Sequence, residues 1–144
     1  MGEAGSSEQT ILVVDRDRRY RHEVARALYL AGWDVLEAAS GEEAFAIAAK
    51  RDLTLAIIET RLIGMSGPEL AGRLRALHGD GLPILLVADE WSRPQRDGDA
   101  VRETDRLVKP TTLEELLASV RRRLAPPLAE PAAPAPLVPL VTEA

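Results

Sequence analysis

Three apolar runs in this sequence end on residues that can do chemistry. "ILVV" delivers Asp15 with Arg16 beside it, "LAIIE" ends on Glu59, and "DRLV" is followed by Lys109. Two carboxylates, a guanidinium and an ammonium in one place could bind a divalent cation, hold an anion or accept a transferred group. Carboxylates are hard oxygen ligands suited to Mg²⁺, which keeps near-octahedral geometry and commonly takes one or two of them. A cation among them favours a different outcome, a metal-free ion network. His22 and His78 stand apart without ligand spacing and cysteine is absent, so zinc and disulfide chemistry drop out.

The elements that must position these groups alternate along the chain. "ILVV" (11–14), "WDVLEA" (33–38), "LAIIE" (55–59), "PILLVA" (83–88) and "DRLV" (105–108) read as strands. Between the first two, Tyr20, Val24, Ala27, Leu28 and Ala31 recur at helical spacing until Gly32 closes the helix. Ser40-Gly41-Glu42-Glu43 and Ser66-Gly67-Pro68-Glu69 read as capping boxes, the first opening a helix through Lys50. The second opens a helix whose buried stripe is Leu70, Leu74 and Leu77. Thr111-Thr112-Leu113-Glu114 caps a last helix carrying Leu113, Leu116, Leu117, Val120 and Leu124 on one face. The segment after the fourth strand is the exception. Ser92 offers a cap there, but Pro94 and Gly98 interrupt the pattern, so a short or distorted fourth helix is expected. Trp91, in that segment, suits either packing over the sheet edge or anchoring a partner.

Strands apolar throughout, alternating with helices, imply a parallel sheet covered on both faces. Right-handed crossovers then bring every strand's C-terminal end to one edge, where such folds bind ligands. Asp15, Glu59, Ala88 and Lys109 all fall at that edge.

Composition bounds the rest. The chain has 144 residues with 18 Lys and Arg against 23 Asp and Glu, a net charge of −5, which disfavours a nucleic-acid surface. No apolar run approaches the ~20 residues that span a bilayer, and no signal-peptide pattern opens the chain. A soluble, cytoplasmic protein is expected. Met1-Gly2 with Ser6 fits an N-myristoylation template, but small residues match it easily and residues 1–9 read as a flexible leader. Residues 10–125 read as one domain. Residues 126–144 hold six of the ten prolines and no basic residue, and read as an extended tail outside the core.

From Thr10 to Ala125 the chain resembles the receiver domain of two-component response regulators. "ILVVD", "LAIIE" followed by "GMSGPEL", "PILLV" and "LVKP" carry the resemblance. It implies a flavodoxin-like α/β fold, a (βα)5 three-layer sandwich with strand order 2-1-3-4-5. It further implies a phosphoacceptor aspartate at the end of the third strand, loaded by a histidine kinase with Mg²⁺. This sequence departs from that pattern. The acceptor position is Glu59, the second acid after the first strand is Arg16, and the hydroxyl residue after the fourth strand is Ala88. The aromatic switch is Arg106, and the loop proline is Ile63. Asp15, Lys109 and Pro110 match.

Each departure works against phosphoryl transfer. Mg²⁺ must offset charge on the phosphoryl oxygens, and Arg16 puts a cation where a ligand would be. Mg²⁺ binding is therefore expected to be weak or absent, with Asp15 and Glu59 the candidate ligands; Asp17 could join Asp15 at a metal but reads as a helix cap. Glu59 is one methylene too long, and a misplacement of about 1 Å can cost on the order of 100-fold in rate. Ala88 has no hydroxyl for a phosphoryl group, and Arg106 lacks an aromatic's buried flip. The expectation is a stand-alone, degenerate receiver, not an enzyme, in which Glu59 is a fixed anion reaching Arg16 and Lys109. Its partner is then a signalling protein, a histidine kinase or a downstream regulator, with no membrane or nucleic acid involved. A homodimer through the fourth helix, fifth strand and fifth helix is a further option. Two rivals stand beside this: a conventional phosphorelay receiver with residual acceptance, and a flavodoxin-like nucleotide-binding enzyme. The latter needs a glycine- or hydroxyl-rich phosphate loop, which "DRDRRY" does not supply. Arg16, Arg18, Arg19, Arg21 and Arg26 read as a solvated helix face, with docking of an acidic partner or nucleic acid as the sharper alternative.

Overall fold

The computed structural model of the chain describes residues 9–88, 106–108 and 112–124. Five parallel strands form one sheet in the order β2-β1-β3-β4-β5: β1 (Thr10–Val14), β2 (Asp34–Ala38), β3 (Leu55–Glu59), β4 (Ile84–Ala88) and β5 (Arg106–Val108). The side chains of β1, β3 and β4 are buried along their whole length, whereas β2, at one edge, is only half buried. This is why three strands read as continuous apolar runs and "DVLEA" mixes charges with aliphatics.

Four helices are described: α1 (Arg18–Leu30), α2 (Gly41–Ala48), α3 (Gly67–His78) and α4 (Leu113–Arg123). Each starts on an oxygen-bearing cap, Asp17, Ser40, Ser66 or Thr112, whose side chain accepts backbone N–H groups that the first turn leaves without helical partners. The helices divide between the faces of the sheet. On one, Val24, Leu28, Leu116 and Val120 of α1 and α4 pack over Ile11, Val13, Leu55, Ile57 and Trp33. On the other, Ala44, Ala48, Leu70 and Leu74 of α2 and α3 pack over Leu12, Val14, Ala56 and Ile58. Trp33 is 1% exposed, and its indole N–H donates to Gln9 Oε1 at 2.9 Å. His78, at the end of α3, lies with Nε2 2.9 Å from the carbonyl oxygen of Ala48, so the C-terminal ends of α2 and α3 are tied together.

Several expectations need correction. Leu77 is 44% exposed: it continues the stripe of Leu70, Ala71 and Leu74 but sits in the last turn of α3, beyond the buried residues. Leu113 is 37% exposed, because it sits in the first turn of α4 ahead of the buried Leu116 and Val120. The capping box of α4 is one residue later than read: Thr112 accepts from Glu115 N, and Glu115 Oε1 accepts from Thr112 N. At α2 the return half of the box misses its cap, since Glu43 Oε1 accepts from Ala39 N. At α3 the Glu69 carboxylate pairs with Arg73 one turn on. The segment read as an irregular fourth helix, Trp91 within it, residues 1–8 and the tail from 125 lie outside the described residues.

Candidate functional site

The C-terminal ends of β1 and β3 are neighbours in register, Val14 beside Ile58. Asp15 and Glu59 therefore emerge side by side, 2% and 3% exposed. The turn after β1 is built by its own carboxylates. Asp15 Oδ1 accepts from Asp17 N at 2.9 Å, and Asp17 Oδ1 accepts from Arg19 N and Tyr20 N to start α1. Asp17 is thus occupied as a helix cap.

This turn delivers Arg16 to Glu59 twice. The Arg16 backbone N–H donates to Glu59 Oε1 at 3.2 Å, and its Nε–H donates to Oε2 at 3.4 Å. Both carboxylate oxygens are engaged by one residue. The pair is asymmetric, since the Arg16 side chain is 43% exposed and that of Glu59 only 4%. Ala88 closes β4 at the same edge, 6% exposed. Arg106 opens β5 opposite Leu86 in the ladder; its side chain, and all of Lys109, lie outside the described residues.

Gly67 fixes how close this edge approaches α3. A Cβ there would lie 2.3 Å from the Glu59 carbonyl oxygen and 2.7 Å from Thr60 Cα. The Gly67 N–H donates to Thr60 O at 2.9 Å, so the helix start is bonded directly onto the strand end that carries Glu59.

Three members of this neighbourhood were not legible as such. Arg21, read as part of a solvated face, is only 13% exposed; its Nη1 donates to Asp15 O at 2.9 Å and its Nε to Glu37 Oε1 at 3.0 Å. Glu37, on edge strand β2, also lies 2.8 Å from His22 Nδ1. Arg21 is thus a strut from β2 to the loop that presents Arg16. The third is Tyr20, read only as a helix-core residue. Burial pushes its phenol up from 10.0 to about 12, with the negative charges of Asp15, Glu59 and Glu23 adding to the effect. A phenol that holds its proton more tightly in the native state leaves stability intact below pH 10 and removes it as pH rises from there towards 12. Urea denaturation on both sides of pH 10 should show a steeper alkaline loss for the wild type than for Tyr20→Phe.

For a divalent cation the donor set fits poorly. Glu59 is turned onto Arg16, one Asp15 oxygen is committed to the turn, and a guanidinium stands where a second acid is needed. Among the described residues no group of three Asp, Glu, His or Cys side chains is placed to hold a metal ion.

A five-stranded parallel sheet in this order, with an acid at the central strand end and helices on both faces, defines a flavodoxin-like receiver fold. The family model described as the response regulator receiver domain matches residues 11–121. The chain belongs to that family, whose members serve as signalling modules in two-component systems. Response regulator MprA of Mycobacterium sp. (strain KMS) is 37% identical over 120 residues, 81% of this chain and 52% of that protein. The phosphate regulon transcriptional regulatory protein PhoB of Pseudomonas aeruginosa is 35% identical over 124 residues, 82% of this chain and 54% of that protein. The chain spans about half the length of the curated relatives it matches. Among solved structures, chemotaxis protein CheY4 of Vibrio cholerae superimposes with a TM-score of 0.73 at 33% identity, covering 81% of this chain and 98% of that one. The receiver domain of the hybrid histidine kinase CckA gives 0.66 at 30% identity, covering 79% and 97%. No helix among the described residues is long and apolar enough to cross a membrane.

Proposed function

We propose that this receiver works without phosphorylation, as a protein-interaction module of a two-component pathway in the cytoplasm, with Glu59 as a permanent anion. One observation carries this reading: both oxygens of the buried Glu59 carboxylate accept N–H groups from Arg16. A carboxylate so engaged is a poor nucleophile, because its lone pairs point at donors rather than at an incoming phosphorus. Arg16 supplies positive charge of the sign a metal would bring, so the site needs no Mg²⁺. Ala88 has no hydroxyl to hold a phosphoryl oxygen. The partner is a histidine kinase or a downstream regulator that recognises the fixed edge.

Intact-mass measurement after incubation with acetyl phosphate and Mg²⁺ tests this. The wild type and Glu59→Asp are expected to show no phosphoryl adduct, since the metal site stays blocked in both. Arg16→Asp, Glu59→Asp and Ala88→Thr together restore an acid pair, an acceptor of ordinary length and a hydroxyl, and are expected to gain one. An adduct on wild-type Glu59 overturns the reading and makes the protein a conventional receiver with residual acceptance.

A further inference from the structure

The last turn of α1 leaves apolar surface in water. Tyr29 is 63% and Leu30 69% exposed, two of the three most exposed large hydrophobic side chains among the described residues. Arg26, one turn earlier, is exposed as well. Positions i, i+3 and i+4 of a helix are surface neighbours, so the aliphatic stem of Arg26, Tyr29 and Leu30 form one patch. The buried side of α1 is already supplied by Val24, Ala25 and Leu28. The end of α4 lies beside this patch. Helices that link or follow parallel strands run back along them, so α1 and α4 both end at the sheet edge opposite Asp15 and Glu59. The two helices pack against each other, and Ala31 and Leu124 join the same apolar cluster. The chain beyond Leu124 therefore departs from the end of the molecule where Tyr29 and Leu30 stand.

We infer that residues 137–141 of this same chain dock on Tyr29 and Leu30. Leu137, Val138, Leu140 and Val141 are the one run of large apolar side chains in residues 125–144. The reach is sufficient. At about 3.1 Å per residue, residues 125–136 extend to about 37 Å, which exceeds the length of the 13-residue α1, about 20 Å. The chemistry matches too. Proline-rich segments favour a helix of three residues per turn, which puts Leu137 and Leu140 on one edge, and such segments dock on aromatic surfaces, here Tyr29. Charge draws the segment back rather than driving it away. Residues 125–144 carry Glu130 and Glu143 but no Lys or Arg, and they leave from the basic last turn Arg121-Arg122-Arg123. Other segments fit the patch less well. Residues 1–8 hold a single large apolar side chain, Met1. Residues 89–105 link β4 to β5, at the sheet edge far from the β1 and β2 strands on which α1 packs. The contact stands at the opposite end of the sheet from Glu59 and holds whether or not Glu59 accepts a phosphoryl group.

The chain has no cysteine, so Thr142→Cys gives a single attachment point for a nitroxide, one residue past the docking segment. Proton–nitrogen NMR spectra of the full chain are compared with the label oxidised and reduced. A tethered segment meets its site at an effective concentration in the millimolar range, so the amides of residues 26–32 are expected to lose about half their intensity or more. Amides at the start of α3, on the other face and at the opposite edge of the sheet, should keep theirs. Leu137→Ser with Leu140→Ser alters none of the described residues and should abolish the loss. Tyr29→Ser with Leu30→Ser should abolish it too, with circular dichroism unchanged because both positions are exposed. In a mixture of isotope-labelled chain without nitroxide and unlabelled chain carrying it, no loss is expected. Unchanged intensities at residues 26–32, loss spread evenly over all four helices, loss that survives the leucine variant, or equal loss in the mixture, which would make the occupant a second copy, would each overturn the assignment.

Discussion

Replacing Gly67 with alanine is expected to destabilise the domain by about 3 kcal/mol or more, at the upper end of what overpacking costs. The added methyl would meet the Glu59 carbonyl oxygen at 2.3 Å and Thr60 Cα at 2.7 Å. Both are backbone atoms of a central strand and its exit, and no rotamer change relieves them. Relief requires α3 to move off the sheet, which breaks the Gly67 N–H to Thr60 O bond and uncovers Leu70, Ala71 and Leu74. A fall in melting temperature on the order of 10 °C follows for a domain of this size. Gly72 lies in the same helix, is exposed, and a Cβ there would meet nothing within 4 Å. Gly72→Ala should therefore stabilise by about 0.5–1 kcal/mol through helix propensity alone. The same substitution, five positions apart, changes sign. Equal effects at the two sites in thermal denaturation would mean that α3 does not approach β3 as closely as described.

The second large effect concerns Arg16 and Glu59. Glu59→Gln keeps the shape but removes the charge and presents an amide to two N–H donors. Removing one member of a fully buried pair costs about 3–5 kcal/mol. Here the stranded member is Arg16, whose side chain is 43% exposed and can turn to solvent, so the cost should be about 1–2 kcal/mol. Arg16→Met withdraws the guanidinium from the buried member instead and should cost a similar amount, since the Arg16 backbone N–H still reaches Oε1. In a double-mutant cycle by urea denaturation the two losses should fall short of additivity by about 1 kcal/mol. Additivity within about 0.3 kcal/mol would reduce the pair to an ordinary surface bridge and remove the support for a permanent anion.

The sheet was legible in the sequence because its three central strands are nearly uniform in hydrophobicity. "ILVV", "LAIIE" and "ILLVA" admit few alternatives once helical spacing separates them. Cap residues were legible too, and errors there are of one residue, as at Thr112, where two threonines in a row offer two registers. Leu77 misled because periodicity marks a stripe but not where a helix runs past the sheet. At the site, Arg16 beside a strand end and Glu59 at another could be paired from topology alone. Arg21 could not, because five arginines within eleven residues look alike until tertiary contacts separate them. Tyr20 hid for a related reason: an aromatic at core spacing says nothing about which way its hydroxyl points. Glu37 looked like the polar face of an edge strand, which it also is.

The two layers of this molecule are optically unequal. Trp33 lies on the α1–α4 side of the sheet, sealed from water and with its indole N–H bonded to Gln9, while the α2–α3 side is built from aliphatic side chains, Met65 and Phe45. Of the two tryptophans in the chain, replacing Trp91 by phenylalanine leaves an emission spectrum that comes from one layer alone, whereas far-ultraviolet circular dichroism sums over helices on both. Gly67 belongs to the silent layer. Unfolding curves of Gly67→Ala recorded by the two signals therefore ask whether damage on one side of the sheet is felt at once on the other. Coincident curves describe a single cooperative unit, and a fluorescence transition trailing the dichroism one describes two that melt in turn.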